Sequence, residues 1–105
     1  MIVRIWHGWT VHENADRYET LLRQEVFPSI ENKKAKGYRK ISLLKRIHPE
    51  NTEFITIMQF DDLEAVRKFA GEDYSRSYVP DKAREILLKF DERAQHYEVI
   101  HEIEY

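Results

Sequence analysis

The chain of 105 residues carries 17 Lys and Arg against 19 Asp and Glu, a formal charge of −2, and no cysteine. Its length fits one domain over 1–105, and the lack of cysteine excludes disulfides, thiolate metal sites and cysteine nucleophiles. The balance of charge removes the term that dominates non-specific nucleic-acid binding, and no apolar run nears the roughly 20 residues that span a bilayer, so neither DNA or RNA nor membrane is an expected partner.

Residues Ile2 to Thr10 alternate Val3, Ile5, His7 and Trp9 with Ile2, Arg4, Trp6 and Gly8, the period of a strand covered on both faces. The opening MIVRIWHGWT has no cationic n-region or h-region, which predicts a cytoplasmic protein. Asn14 is placed to cap a helix in which Tyr18, Leu21, Leu22, Glu25, Val26 and Ile30 recur at helical spacing, and Pro28 is expected to kink or end it. Beyond a turn at Gly37, Tyr38 to Ile47 and Glu53 to Phe60 are rich in aromatic and branched residues. The linking His48-Pro49-Glu50-Asn51-Thr52 predicts an antiparallel hairpin. Asp61 or Asp62 caps a short helix over Leu63 to Phe69, ended by Ala70-Gly71. Pro80 suits the first turn of a third helix with Ala83, Ile86, Leu87 and Phe90 as its apolar stripe, and His96 to Tyr105 alternates as a fourth strand.

The order βαββαβ, with the second helical segment broken near Tyr74, predicts an α+β, ferredoxin-like domain: a four-stranded antiparallel sheet with helices on one face. The side of the first strand bearing Val3, Ile5, His7 and Trp9 is expected to meet the helices. The other side, with Trp6, Ile2 and Leu44 or its neighbours, is left without cover. Two Trp, six Tyr and five Phe are more than a core of this size uses and point to burial against a second subunit or around a ligand; a second copy of the sheet would cover the open side, so a homodimer is expected.

This order of elements, with Phe60-Asp61-Asp62-Leu63-Glu64-Ala65-Val66-Arg67-Lys68-Phe69 and the later Tyr78-Val79-Pro80, resembles the antibiotic biosynthesis monooxygenase family over essentially the whole chain. The resemblance implies a dimeric α+β barrel in which two sheets pack face to face and a pocket lies between each sheet and its helices. Some members of that family oxidise aromatic polyketides without metal or flavin, and a branch degrades haem with an Asn, a Trp and a His. In this sequence those three positions hold His7, Phe60 and Tyr78, so the haem-degrading set is not present.

Within such a pocket, His7 would bring an imidazole to the floor, either as a ligand or proton-transfer group or as a satisfied, partly buried histidine, with Trp9 beside it as wall. Tyr74 and Tyr78 fall in the break between helices. There a phenol can close over a ligand and donate to its carbonyl or quinone oxygen, or simply pack its ring. Phe60 and Phe69 complete the lining. His96 and Glu98 share a strand face but supply at most two metal ligands, and nothing else in the chain has ligand spacing, so no metal is expected; pairing with Arg4, Lys40 or Arg46 across strands is the alternative. Gly-rich phosphate loops, dinucleotide fingerprints and G-x-S-x-G elbows are lacking. The activity that the resemblance implies is that of a cofactor-independent monooxygenase acting on a small aromatic or quinol-like molecule, for which this sequence offers His7 as base and Tyr78 to orient the substrate oxygen. The alternative is a non-catalytic dimer of the same shape that binds a small molecule or only self-associates.

Overall fold

A computed structural model describes all residues, Met1–Tyr105. The nine-residue β1 (Ile2–Thr10) lies at the centre of an antiparallel sheet in the order β2-β3-β1-β4, with β5 also pairing β1. The hairpin strands β2 (Tyr38–Ile47) and β3 (Thr52–Phe60) form as their branched and aromatic content predicts, with one register shift between Tyr38 and Lys40. On the other edge, β4 (Lys89–Phe90) pairs with Trp9 and Gly8, and β5 (Gln95–Glu98) pairs with Ile5 through Ile2. Together they act as one strand interrupted at Asp91–Ala94, and the architecture is the α+β, ferredoxin-like one.

The first helical segment runs as α1 (Ala15–Leu21), a π-helical stretch Leu22–Val26 and α2 (Phe27–Asn32). Pro28 does not end it. The Phe27 N–H reaches back five residues to the Leu22 carbonyl, and this wide turn absorbs the missing donor of the proline that follows. Asn14 gives no side-chain cap; a short 3₁₀ turn, His12–Asn14, leads into α1 instead. Asp62 does cap α3 (Leu63–Ala70), its carboxylate accepting from the Ala65 N–H at 2.9 Å, and Gly71 stops that helix at φ 93°, a conformation that favours glycine.

Two expectations near the C-terminus are corrected. The helix α4 (Asp81–Ile86) stops before Leu87, because the Leu88 N–H donates to the Trp9 carbonyl and draws Leu87–Phe90 onto the sheet edge. Ala83, Ile86, Leu87 and Phe90 all reach the same core, but from two elements. The fourth strand ends at Glu98 rather than Tyr105. Glu98 is already opposite Ile2 and the Val99 N–H meets the Met1 carbonyl, so the chain runs past the first residue of β1; Val99 is half-buried and residues 100–105 lie exposed.

The facing of β1 is also the reverse of the expectation. Arg4, Trp6, Gly8 and Thr10 point to the helices, with Thr52, Phe54, Met58 and Phe60 of β3 beside them. One core cluster joins Phe54 to Tyr18, Leu21 and Leu22 below α1 and to Ala83 and Ile86 of α4. A second joins Phe60 and Met58 to Ala65 and Val66 of α3, with Ile2, Tyr38 and Phe69 packed against it. Val3, Ile5, His7 and Trp9 lie on the open face, opposite Gln59, Ile57, Ile55 and Glu53 of β3. Leu44 is on that open face, 43% exposed, as expected, whereas Ile2 and Trp6 are not.

Candidate functional site

A cavity of about 360 Å³ lies between the covered face of the sheet and the helices, inside the size range that small-molecule sites occupy. Its floor is Arg4 and Trp6 of β1, Ile41 of β2, and Thr56 and Met58 of β3. Its walls are Tyr18 of α1, Leu22 and Val26 of the π-helical stretch, Phe27 and Ile30 of α2, and Phe69 of α3. The stretch Arg76–Pro80 and Ala83 close the remaining side, with Lys33 and Ser29 at the rim. The wide helical turn thus does structural work here, since it aims both Leu22 and Val26 into the space below. Gly8 contributes from beneath: a Cβ there would lie 2.9 Å from the Trp6 ring, so glycine is what allows that ring to lie flat beside it.

The indole N–H of Trp6 donates to the Asp91 carbonyl at 2.8 Å, fixing the ring against the interruption between β4 and β5. The Ser77 hydroxyl reaches the Asp91 and Glu92 carbonyls at 2.8 Å each, and the Ser77 N–H donates to the Glu92 carbonyl, so the wall of the cavity is laced to the sheet edge.

Arg4 is the one charged residue that is buried, at 8% exposure. Its Nη1 donates to the Tyr74 carbonyl and lies 3.1 Å from His96 Nε2, its partner in register on β5. No ion pair of the molecule includes it. Burial lowers the pKa of the guanidinium, and burial together with the adjacent Arg4 charge lowers that of His96. Burial also pushes the Tyr18 phenol far up, so it is a permanent donor at neutral pH.

Of the six residues singled out in the sequence, the cavity brings together two: Tyr78, 88% exposed at the mouth, and Phe69 in the wall. Phe60 is wholly buried, its ring 5.5 Å from Tyr38 and 5.4 Å from Phe69, and it supports the wall without reaching the space. Tyr74 lies outside, its ring edge-on to His96. His7 and Trp9 are on the opposite face of the sheet, stacked on each other with centroids 5.9 Å apart. His7 Nδ1 is 2.6 Å from Asp91 Oδ2, which also accepts from the His7 backbone N–H at 3.0 Å. An imidazole on the cavity floor is therefore corrected to an imidazole tied to the sheet edge, because the even-numbered side of β1 is the one the helices cover. Arg4 and Trp6 were not among the sequence candidates; an arginine between apolar neighbours mid-strand is the signal that marks them.

No protein-family model matches the chain, and no curated protein matches it in sequence. Solved structures do. A Bacillus cereus protein assigned as an antibiotic biosynthesis monooxygenase superposes with a TM-score of 0.69 at 10% identity, over 100% of this chain and 96% of that one. This chain has the fold of the antibiotic biosynthesis monooxygenases. The haem degrader MhuD from Mycobacterium tuberculosis, with two haems bound in its active site, matches with a TM-score of 0.61 at 14% identity over 99% of this chain and 100% of its own. SnoaB, a cofactor-independent oxygenase from Streptomyces nogalater, matches with a TM-score of 0.56 at 14% identity over 97% and 96%. No helix of this chain is long and apolar enough to cross a membrane.

Proposed function

We propose that the chain is a cofactor-independent monooxygenase of the antibiotic biosynthesis monooxygenase family, working as a cytoplasmic homodimer on a small aromatic or quinol-like molecule held between sheet and helices. The observation that carries this reading is the cavity itself, largely apolar and lined by Trp6, Phe27 and Phe69, in a fold shared with an oxygenase that uses no cofactor. In such a reaction a substrate CH₂ activated by flanking rings becomes C=O, one oxygen atom of O₂ entering the substrate and the other leaving as water. All the electrons that reduce O₂ come from the substrate. The chain's part is to hold the ring system flat between Trp6 and the helices, to exclude water, and to orient the substrate oxygen, for which the Tyr78 phenol, 88% exposed at the mouth, is a donor. His7 has no part at the cavity in this scheme; its pairing with Asp91 belongs to the open face. That face, with Ile5, Ile55, Ile57 and Leu44, is the surface a second copy would cover.

An oxygen electrode with a panel of anthrone- and quinol-type substrates tests this. Oxygen uptake matching substrate loss is expected, falling about tenfold or more in Trp6→Ala and unchanged in His7→Ala. A second reading, a binder with no turnover, is favoured by one observation: no His, Asp or Glu lines the cavity, so a base to ionise the substrate is missing from its walls. Binding without oxygen uptake across the panel would select it.

A further inference from the structure

The charged groups of the cavity have one sign. Its lining includes three cationic side chains, Arg4 at the floor and Lys33 and Arg76 toward the rim, and no carboxylate, in a chain whose net charge is −2. None of the three takes part in an ion pair. A lone guanidinium in an apolar interior is costly unless something compensates it. Here Nη1 is partly satisfied by the Tyr74 carbonyl and His96, but Nε and Nη2 have no hydrogen-bond partner, nor does the hydroxyl of Tyr18, which is 2% exposed. Thr10 Oγ1 is the only fully enclosed side-chain polar atom left without a partner, so these unused donors border open space, and the space that Arg4 and Tyr18 line is the cavity.

The geometry points to an anionic ligand: an apolar, ring-bearing carboxylic acid whose carboxylate sits on Arg4 at the cavity floor, with Tyr18 as a further donor and its ring body against Trp6 and Phe69. This rests on the reading above that the cavity is the ligand site, and narrows its substrate class. The carboxylate supplies the counter-charge that the protein itself withholds, and a guanidinium fork meets it with two parallel bonds. Lys33 and Arg76, exposed at the rim, add a field that draws an anion inward.

The test compares 4-ethylbenzoate with 4-ethylbenzamide, the same body without the charge. Trp9 is on the far face, so the Trp9→Phe chain leaves Trp6 as its one tryptophan and Trp6 fluorescence reports occupancy of the cavity. Titration at pH 7.5 is expected to show the acid binding about tenfold or more tighter than the amide. In Arg4→Met that preference of acid over amide disappears, and in Arg4→Lys, which keeps the charge but not the fork, it falls between. Equal affinity for acid and amide, an unchanged preference in Arg4→Met, or no binding of either at millimolar concentration would overturn the assignment. Far-UV circular dichroism confirms that each variant is folded. Acid binding through Arg4 with no oxygen uptake by any substrate would remove the oxygenase reading and leave this one. Oxygen uptake from neutral quinols with no preference for acids would do the reverse.

Discussion

The two faces of the sheet divide their residues against simple hydropathy. On β1 the side turned to the helices carries Arg4, Trp6, Gly8 and Thr10, and the side left open carries Val3, Ile5, His7 and Trp9. The open side continues across the sheet as Ile55 and Ile57 on β3 and Leu44 on β2, with Tyr97 on β5 56% exposed. A face that stays closed by its own helices can carry a buried arginine where it borders a cavity, because a ligand is able to complete the charge. A face that lacks helices has no such use for polar groups, and its branched residues suit contact with a second protein surface. On the proposed function, burial within the chain and apolar character thus point to different partners: a small internal ligand for the covered face and a second copy for the open one.

The largest effect expected from breaking this division is on the covered side. Phe54 is fully buried, its ring 4.9 Å from that of Tyr18, and Phe54→Ala should cost about 3–5 kcal/mol of stability in urea unfolding. A matching change on the open side, Ile57→Lys, should leave the unfolding of the single chain within about 0.5 kcal/mol and act instead on assembly. Light scattering is expected to give a dimer for the parent and a monomer for the variant. A parent that is monomeric at micromolar concentration would mean that the open face has some other partner.

The strands were legible because alternation is a local signal: Ile2–Thr10 and Tyr38–Ile47 have the bounds that their sequence predicts, and Thr52–Phe60 differs by one residue. Which side of β1 turns inward was not legible. Both sides hold large apolar residues, and Arg4 makes the even-numbered side look like the wet one, so the very residue that marks the cavity also hides it. His7 and Trp9 follow from that single inversion. The end of the fourth strand was hidden for another reason. Tyr97, Val99, His101 and Ile103 keep alternating, but a strand needs a neighbour, and the register with β1 is used up at Glu98. Asp62 and Gly71 were readable because a cap and a stop depend only on adjacent residues.

A smaller effect separates the two faces at His7. Its pair with Asp91 is partly exposed, with side chains 29% and 24% accessible, so His7→Gln should cost no more than about 1 kcal/mol. Ligand titration of that variant through Trp6 should match the parent. A loss of ligand binding in His7→Gln would mean that the open face and the cavity communicate through Asp91, whose backbone carbonyl also holds the Trp6 indole.

The mildest test uses acid. His96 lies on the covered side against Arg4, and its burial, with that charge, holds its pKa below the ordinary 6.5. In the unfolded chain the same histidine takes up a proton near 6.5, so below that pH the unfolded state binds more protons than the folded one. Stability present above pH 6.5 is therefore lost as the pH falls through the window between the unfolded and folded values. Asp61 and Asp73, held below 3.8 chiefly by hydrogen bonds from Arg39 and Arg93, add their own loss only further down, which leaves the first window to His96. Urea midpoints measured from pH 7.5 to pH 5 should fall for the parent. They should fall less for His96→Gln, whose amide oxygen can still accept from Arg4 but takes up no proton. An equal fall in both would place the sensitive group elsewhere. A bound carboxylate should also weaken the fall, since an anion on Arg4 cancels the charge that, after burial, holds the His96 pKa down, and the parent measured with and without 4-ethylbenzoate would show the cavity and this edge of the sheet acting as one electrostatic unit.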